Sequence, residues 1–182
     1  MGRRDEKRTL RAQLIAERRE IPTGTRQRYD AEILEHLTEY MREITPCKRL
    51  AAYEPFGTEP GRTLDPPLPE RLGEFGTVLV PLTLEDRDLD WTAYDESRTP
   101  LGPDAIAAVD LVVVPALAVG RSGIRLGRGG GSYDRALARV LEGTPVVALL
   151  YDHELLDEVP GEEHDRPVTH LIAPGGARAV GA

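Results

Sequence analysis

Ten consecutive residues, Arg125-Leu126-Gly127-Arg128-Gly129-Gly130-Gly131-Ser132-Tyr133-Asp134, combine the residue types that can hold a polyphosphate. Four glycines let the backbone take conformations closed to other side chains and approach a ligand closely. Arg125 and Arg128 flank them and can pair with phosphate charge. Asp134 can hold a magnesium ion that the phosphates share. The stretch follows an apolar run, Leu111-Val112-Val113-Val114, closed by Pro115, which predicts a short buried strand. It precedes Ala136 to Leu141, which predicts a helix. The glycines then lie in a strand-to-helix loop, where free N–H groups and the helix dipole favour an anion. The loop is not a Walker A motif, since no Gly-Lys-Ser/Thr ends it, nor is it spaced as the dinucleotide fingerprint. A ligand-free glycine turn is the structural alternative; two arginines and an aspartate in ten residues weigh against it.

Other candidates lie elsewhere in the chain. Lys7 and Arg11 are four apart on a predicted N-terminal helix, so both fall on one face, where two cations can meet a polyphosphate. Set against this, most charges of that helix read as a solvated basic face. After a predicted strand at Leu50 to Tyr53 comes Glu54-Pro55-Phe56-Gly57-Thr58-Glu59-Pro60-Gly61. Ligands of open α/β sheets bind beyond the carboxyl ends of strands, so Phe56 can stack on a flat ligand there and Glu59 can accept its hydrogen bonds. A proline/glycine turn with a solvated glutamate is the plainer reading. Trp91 is the only tryptophan; it is a core filler or, with Tyr94, part of an aromatic pocket. His164-Asp165 is either a metal-site pair or part of an exposed acidic loop.

These candidates need a scaffold. The predicted elements are helices over Arg4 to Arg19 and from Thr23 or Thr25 to about Arg42, with one of the threonines as cap. Leu64 to Leu72 predicts a proline-interrupted helix, and Asp104 caps a brief helix through Ala108. Strands follow at Thr77 to Pro81, Leu89 to Tyr94, Pro145 to Tyr151 and Val168 to Ala173. Leu155 to Val159 predicts a helical turn, and Gly175 to Ala182 a flexible tail. Strands alternating with helices predict one three-layer α/β/α domain over residues 1–182 with a mainly parallel sheet.

A chain of 182 residues suits one domain, and 40% hydrophobic with 30% charged residues is ordinary for a globular protein. A net charge of −8 argues against sequence-independent nucleic-acid binding. The single cysteine, Cys47, excludes an internal disulfide and a multi-cysteine zinc site. No apolar run approaches membrane-spanning length, and the charged N-terminus lacks a signal-peptide core. A cytoplasmic monomer acting on a small molecule, with no nucleic-acid or membrane partner, is the expectation.

Four blocks together resemble the 5-formyltetrahydrofolate cyclo-ligase (methenyltetrahydrofolate synthetase) family. They are Lys7 to Arg11, Ala52 to Glu59, Asp110 to Ala118 running into Arg125 to Arg135, and Tyr151-Asp152 followed by His164 to Val168; order and spacing agree from about Lys7 to Ala173. The resemblance implies a fold related to sugar-phosphate isomerases and CoA transferases, and a need for ATP and Mg2+. It implies closure of 5-formyltetrahydrofolate to 5,10-methenyltetrahydrofolate with release of ADP and phosphate. The formyl oxygen attacks the γ-phosphate to give an iminium phosphate, N10 attacks that carbon, and phosphate leaves. It further implies that Lys7, Arg11, Arg125 and the segment Gly127, Arg128, Gly129, Gly130, Gly131, Ser132 and Tyr133 surround ATP. Arg125 and Tyr133 then stand nearest the reacting phosphate, and Asp134 and Asp165 hold magnesium. Glu59 grips the folate, and Phe56 forms its pocket wall; Trp91 as a further folate neighbour extends the resemblance.

Two departures concern the substrate rather than ATP. Ser132 stands where many relatives have a first tyrosine, and Arg98-Thr99-Pro100-Leu101-Gly102-Pro103 replaces a Glu-Pro element. The rival functions are a sugar-phosphate enzyme of the same fold and a non-catalytic folate- or nucleotide-binding relative.

Overall fold

The structure is a computed structural model and describes residues 2–44, 46–162 and 165–181. Helices α1 (Arg3–Glu20) and α2 (Thr23–Glu43) come first. Neither Thr23 nor Thr25 caps α2: both lie inside the helix, and Pro22 precedes it with φ −59°. The proline ring fixes that entry dihedral without any side-chain hydrogen bond. There follow β1 (Arg49–Ala52), α3 (Leu68–Leu72), β2 (Thr77–Thr83), β3 (Leu89–Ala93), a 3₁₀ turn (Pro103–Ala108) and β4 (Leu111–Pro115). Next are β5 (Ala118–Gly120), β6 (Arg125–Leu126), α4 (Ser132–Leu137) and β7 (Val146–Leu149). A 3₁₀ turn (Asp152–Glu154), β8 (Leu155–Leu156), β9 (His170–Ala173) and β10 (Gly176–Ala179) complete the order.

Seven strands form one sheet in the order β10-β9-β7-β4-β1-β2-β3. Strands β9, β7, β4, β1 and β2 run parallel, while β10 and β3 close the two edges antiparallel. Parallel strands need cover on both faces, and side chains alternate accordingly. Leu50, Ala52, Leu111, Val113, Val147 and Leu149 pack with Ile33, Leu37 and Met41 of α2 and Leu68 and Leu72 of α3. Ala51, Val112, Val114, Val146 and Ala148 face the other way, onto Ile106, Ala136, Leu137 and Val140. A second sheet, β6-β5-β8, carries a smaller core in which Leu14 of α1 meets Leu117, Ala118, Leu126 and Val159.

Asp104 lies inside the 3₁₀ turn and makes no capping hydrogen bond, and three further expectations need correction. The helix after the glycines spans Ser132–Leu137 rather than Ala136 to Leu141. Arg166 donates to the carbonyls of Leu137, Val140 and Leu141, satisfying them without a further helical turn. Leu155-Leu156 is a strand paired with Val119-Gly120, not a helical turn. The supposed tail forms β10, an exposed edge strand that pairs Gly176 to Ala179 with β9.

Candidate active site

A cavity of about 370 Å³ opens beyond the carboxyl ends of the adjacent strands β1 and β4. One wall is the glycine loop with the start of α4, contributing Arg125, Gly127 to Gly131, Ser132, Tyr133 and Asp134. The opposite wall comes from the loop after β1, with Tyr53, Glu54, Phe56 and Glu59, and from Pro81, Thr83 and Leu89 of the β2–β3 hairpin. With only six residues, α4 has too short a dipole to define an anion site by itself. The cations and the shape of the loop decide the chemistry.

Arg125 is 6% exposed at its side chain and is fixed at both ends. Its Nη1 donates to the Pro115 carbonyl at 3.0 Å, and Nη2 donates to Asp134 Oδ1 at 3.0 Å. Its Nε is buried with no hydrogen-bond partner among the described residues, and the same is true of the Tyr133 hydroxyl. A buried donor without an acceptor is costly, and these two, unlike the equally unmatched Arg26 Nε and Trp91 Nε1, belong to residues that line the cavity. Burial raises the Tyr133 phenol above its ordinary range, so at neutral pH it keeps its proton and can donate a hydrogen bond. The Arg125 guanidinium lies 5.7 Å from the centre of the Tyr133 ring.

Helix α1 braces this wall from outside the cavity. Arg11 Nε donates to the Gly127 carbonyl at 2.9 Å. Gly129 has φ +102°, and a Cβ there would meet the Arg11 guanidinium carbon at 3.2 Å, so the loop rests on that side chain. One turn earlier Lys7 pairs with Glu162 at 3.7 Å, and Arg3 donates to the Gly161 carbonyl at 3.3 Å. Four residues of helix rise about 6 Å, so the glycine loop and the segment leading to Asp165 lie against successive turns of one helical face. The Asp165 carboxylate accepts the Glu162 N–H at 2.8 Å. His164, the other half of the suspected metal pair, lies outside the described residues. Among the described residues, no group of three or more His, Cys, Asp or Glu side chains is gathered to hold a metal. Magnesium bound through phosphates needs only one or two carboxylates. Asp134, 44% exposed with one oxygen engaged by Arg125, fits that donor set.

On the opposite wall Glu59 is buried, with Oε2 accepting the Phe56 N–H at 3.0 Å and Oε1 facing Arg128 Nε at 3.2 Å. Phe56 is 58% exposed, and the Arg128 guanidinium sits 4.6 Å from its ring centre. Trp91 requires a correction. It is fully buried and does not line the cavity; its indole stands edge-on to Tyr133, centroids 6.5 Å apart at 76°. Its reach to a ligand is only through Tyr133.

Two residues that the sequence reading passed over belong to this site. Arg18 lines the cavity floor at 1% exposure, bound to Glu154 through Nε–Oε1 at 2.5 Å and Nη2–Oε2 at 2.8 Å, and to the Ala116 carbonyl at 2.6 Å. Lys7, Arg11, Leu14 and Arg18 recur at spacings of four, three and four, so the signal for one inward face was present. Glu54 also lines the cavity, held by Arg98 through two hydrogen bonds of 3.0 and 2.7 Å. That places the departing Arg98 segment beside the cavity.

Comparison with known proteins agrees with this geometry. Residues 3–174 match the 5-formyltetrahydrofolate cyclo-ligase family. A 5-formyltetrahydrofolate cyclo-ligase of Mycolicibacterium smegmatis is 36% identical over 184 residues, covering 91% of this chain and 92% of the relative. A methenyltetrahydrofolate synthase domain-containing protein of Bos taurus is 33% identical over 132 residues, 65% of this chain and 35% of the relative. Among solved structures, a 5,10-methenyltetrahydrofolate synthetase from Mycoplasma pneumoniae superposes with a TM-score of 0.79 at 22% identity, over 92% of this chain and 98% of the other. The Aquifex aeolicus synthetase gives 0.76 at 23% identity, over 95% of this chain and 92% of the other. The two structures share the fold; the match over nearly the whole sequence carries the kinship. The chain belongs to the 5-formyltetrahydrofolate cyclo-ligase family.

Proposed function

We propose that this protein catalyses the ATP-dependent cyclisation of 5-formyltetrahydrofolate to 5,10-methenyltetrahydrofolate, releasing ADP and phosphate. Beyond the family match, one observation supports this most. A single cavity joins a wall of arginine and unmatched donors, Arg125 Nε and the Tyr133 hydroxyl, to a wall bearing the Glu59 carboxylate and the Phe56 ring. The first suits phosphate, and the second suits a flat heterocycle with N–H donors.

The formyl oxygen of the substrate is a poor leaving group; ATP supplies the phosphoryl group that makes it a good one. Alignment and charge neutralisation are then what the protein must provide. Arg125, held by Pro115 and Asp134, offers charge in a water-poor site without having to reorganise. Tyr133 offers a hydrogen bond from a phenol that keeps its proton. Arg11 and Lys7 act from α1, Arg11 through the shape of the glycine loop, together with Gly127 to Gly131, Arg128 and Ser132. Glu59 and Phe56 hold and orient the folate so that N10 faces the formyl carbon. Asp134 and Asp165 would hold magnesium, which supplies charge to the phosphates.

A parallel core edged by two antiparallel strands supports grouping the fold with the sugar-phosphate isomerases and CoA transferases. One sheet running from β10 to β3 supports a single domain. No helix among the described residues is long and apolar enough to cross a membrane. We take the protein to act as a cytoplasmic monomer.

The test is absorbance in the methenyl-folate band with purified protein, 5-formyltetrahydrofolate and magnesium, with and without ATP. Growth of the band only with ATP, matched by ADP release, is expected. A flat trace from folded protein refutes the proposal.

A further inference from the structure

Arg128 stands between the two walls and covers both recognition elements of the second one. Its Nε meets Glu59 Oε1 at 3.2 Å, while its guanidinium lies over the face of Phe56 at 4.6 Å. Glu59 is 5% exposed at its side chain, and its other oxygen is taken by the Phe56 N–H. A substrate N–H that takes the place of Arg128 on Oε1 must exchange with it, and a flat ring that stacks on the Phe56 face beneath the guanidinium must displace the same group.

The contact is built to exchange. A charge-assisted hydrogen bond has an optimum of roughly 2.7–2.9 Å, and this one is longer and single. Arg128 is 39% exposed, and its terminal nitrogens make no hydrogen bond among the described residues. They remain available for a bidentate grip on an anion. Arg128 is carried by the glycine loop, between Gly127 and Gly129, on the wall that faces phosphate. With the bridge closed the cavity is about 370 Å³. That is near the small end of the range of roughly 300–1,000 Å³ for one ligand, and the reaction needs two ligands at once.

We propose that the Glu59–Arg128 ion pair is a latch coupling the nucleotide and folate subsites. A polyphosphate on the glycine loop draws Arg128 away, and this single movement uncovers the Glu59 carboxylate and the Phe56 ring. The latch rests on the cyclo-ligase reading and adds to it that ATP raises affinity for the folate. Linkage requires the folate to raise affinity for ATP by the same factor.

Calorimetric titration of the whole chain tests this with 5-formyltetrahydrofolate, with and without magnesium and β,γ-methylene ATP, which cannot transfer its terminal phosphate. In the wild type the nucleotide analogue is expected to tighten folate binding by about tenfold, within the usual range of site-to-site coupling. In Arg128→Gln the factor falls to about one because folate no longer competes with an ion pair; Glu59→Gln, which keeps shape and removes charge, loses the factor too. Circular dichroism confirms that each variant is folded, and Arg128→Met serves as a second neutral replacement. Both ligands binding without mutual effect in the wild type overturns the latch while leaving the ligase reading intact. Coupling that persists in both Arg128 variants also overturns it. Failure of the folded wild type to bind either ligand overturns the ligase reading and the latch together.

Discussion

Removing Arg18 alone should unfold much of what holds α1 to the sheet. The side chains of Arg18 and Glu154 are 1% and 0% exposed, and they meet through two short hydrogen bonds. Glu154 is otherwise served by one donor, the Tyr151 N–H at 2.9 Å, and the Ala116 carbonyl is served by Arg18 Nη2. In Arg18→Met the buried Glu154 charge loses two of its three hydrogen bonds, and His153 Nε2, 4.0 Å from Oε1, is too far to replace them. Breaking a buried pair by deleting one partner costs about 3–5 kcal/mol. Against a total stability of about 5–15 kcal/mol for a domain, that is a fifth or more of the reserve. Glu154→Gln should cost less because the amide oxygen still accepts the Tyr151 N–H. The double variant should then be more stable than the sum of the two losses predicts, by about 1–3 kcal/mol, since the residues couple directly. Urea unfolding with an unchanged slope measures each value. An Arg18→Met loss below about 1 kcal/mol, or strict additivity in the double variant, refutes the reasoning.

Gly129→Ala places a Cβ at φ +102° and 3.2 Å from the Arg11 guanidinium. The expected result is a KM for ATP raised at least severalfold, with the melting temperature lowered by a few degrees by the strained backbone; unchanged kinetics would detach the loop from phosphate. Asp88, paired with Arg139 at 2.8 and 2.6 Å, has its carboxyl lowered to about 2, chiefly by the side-chain hydrogen bonds from Arg139. A depressed carboxylate stabilises above its unfolded pKa of about 3.9 and loses that contribution as pH falls toward 2. With solvent screening at the surface taken into account, Asp88→Asn should cost about 1 kcal/mol at pH 7 and only a small part of that at pH 2, read by unfolding at both. Cys47, half-buried beside Asp110, has its thiol raised to about 11, first by burial and then by that carboxylate. Iodoacetamide at pH 8 should alkylate it far more slowly than a free thiol, and equal rates would refute the assignment.

Legibility in the sequence followed the physical signal each element carries. Leu111 to Val114 and Val146 to Leu149 are buried on both faces and show as unbroken apolar runs, so the centre of the sheet could be placed. Strands β5, β6 and β8 have three, two and two residues, too few for any period to appear. Strand β10 is mostly exposed and composed of Gly, Ala and Arg, so its hydrogen bonds to β9 leave no hydrophobic trace. At the site, clustering made the glycine loop visible because its residues are neighbours in the chain. Glu154 meets Arg18 across 136 positions, and only the fold brings them together. Trp91 misled because a lone tryptophan carries no sign of whether it faces a cavity or backs it; here Tyr133 stands between.

The charges around the cavity form a pattern that no single motif contains. Lys7 pairs with Glu162, Arg18 with Glu154, Arg98 with Glu54, Arg125 with Asp134 and Arg128 with Glu59. A chain of net charge −8 thus faces a polyanionic substrate with most of these cations already paired, Arg11 being held by a carbonyl instead. Long-range steering is weak under such an arrangement, since a cation beside a carboxylate projects little field beyond a Debye length of about 8 Å at physiological salt. Selection must then come from exchange of partners at contact. On the proposed reading the two pairs that line the phosphate wall then serve different ends. Asp134 would, on that reading, offer the oxygen that Arg125 leaves free to a divalent cation, whereas Glu59, once parted from Arg128, would accept a substrate N–H. The pairing of opposite charges in this cavity therefore keeps acids and bases in reserve for ligands that arrive together.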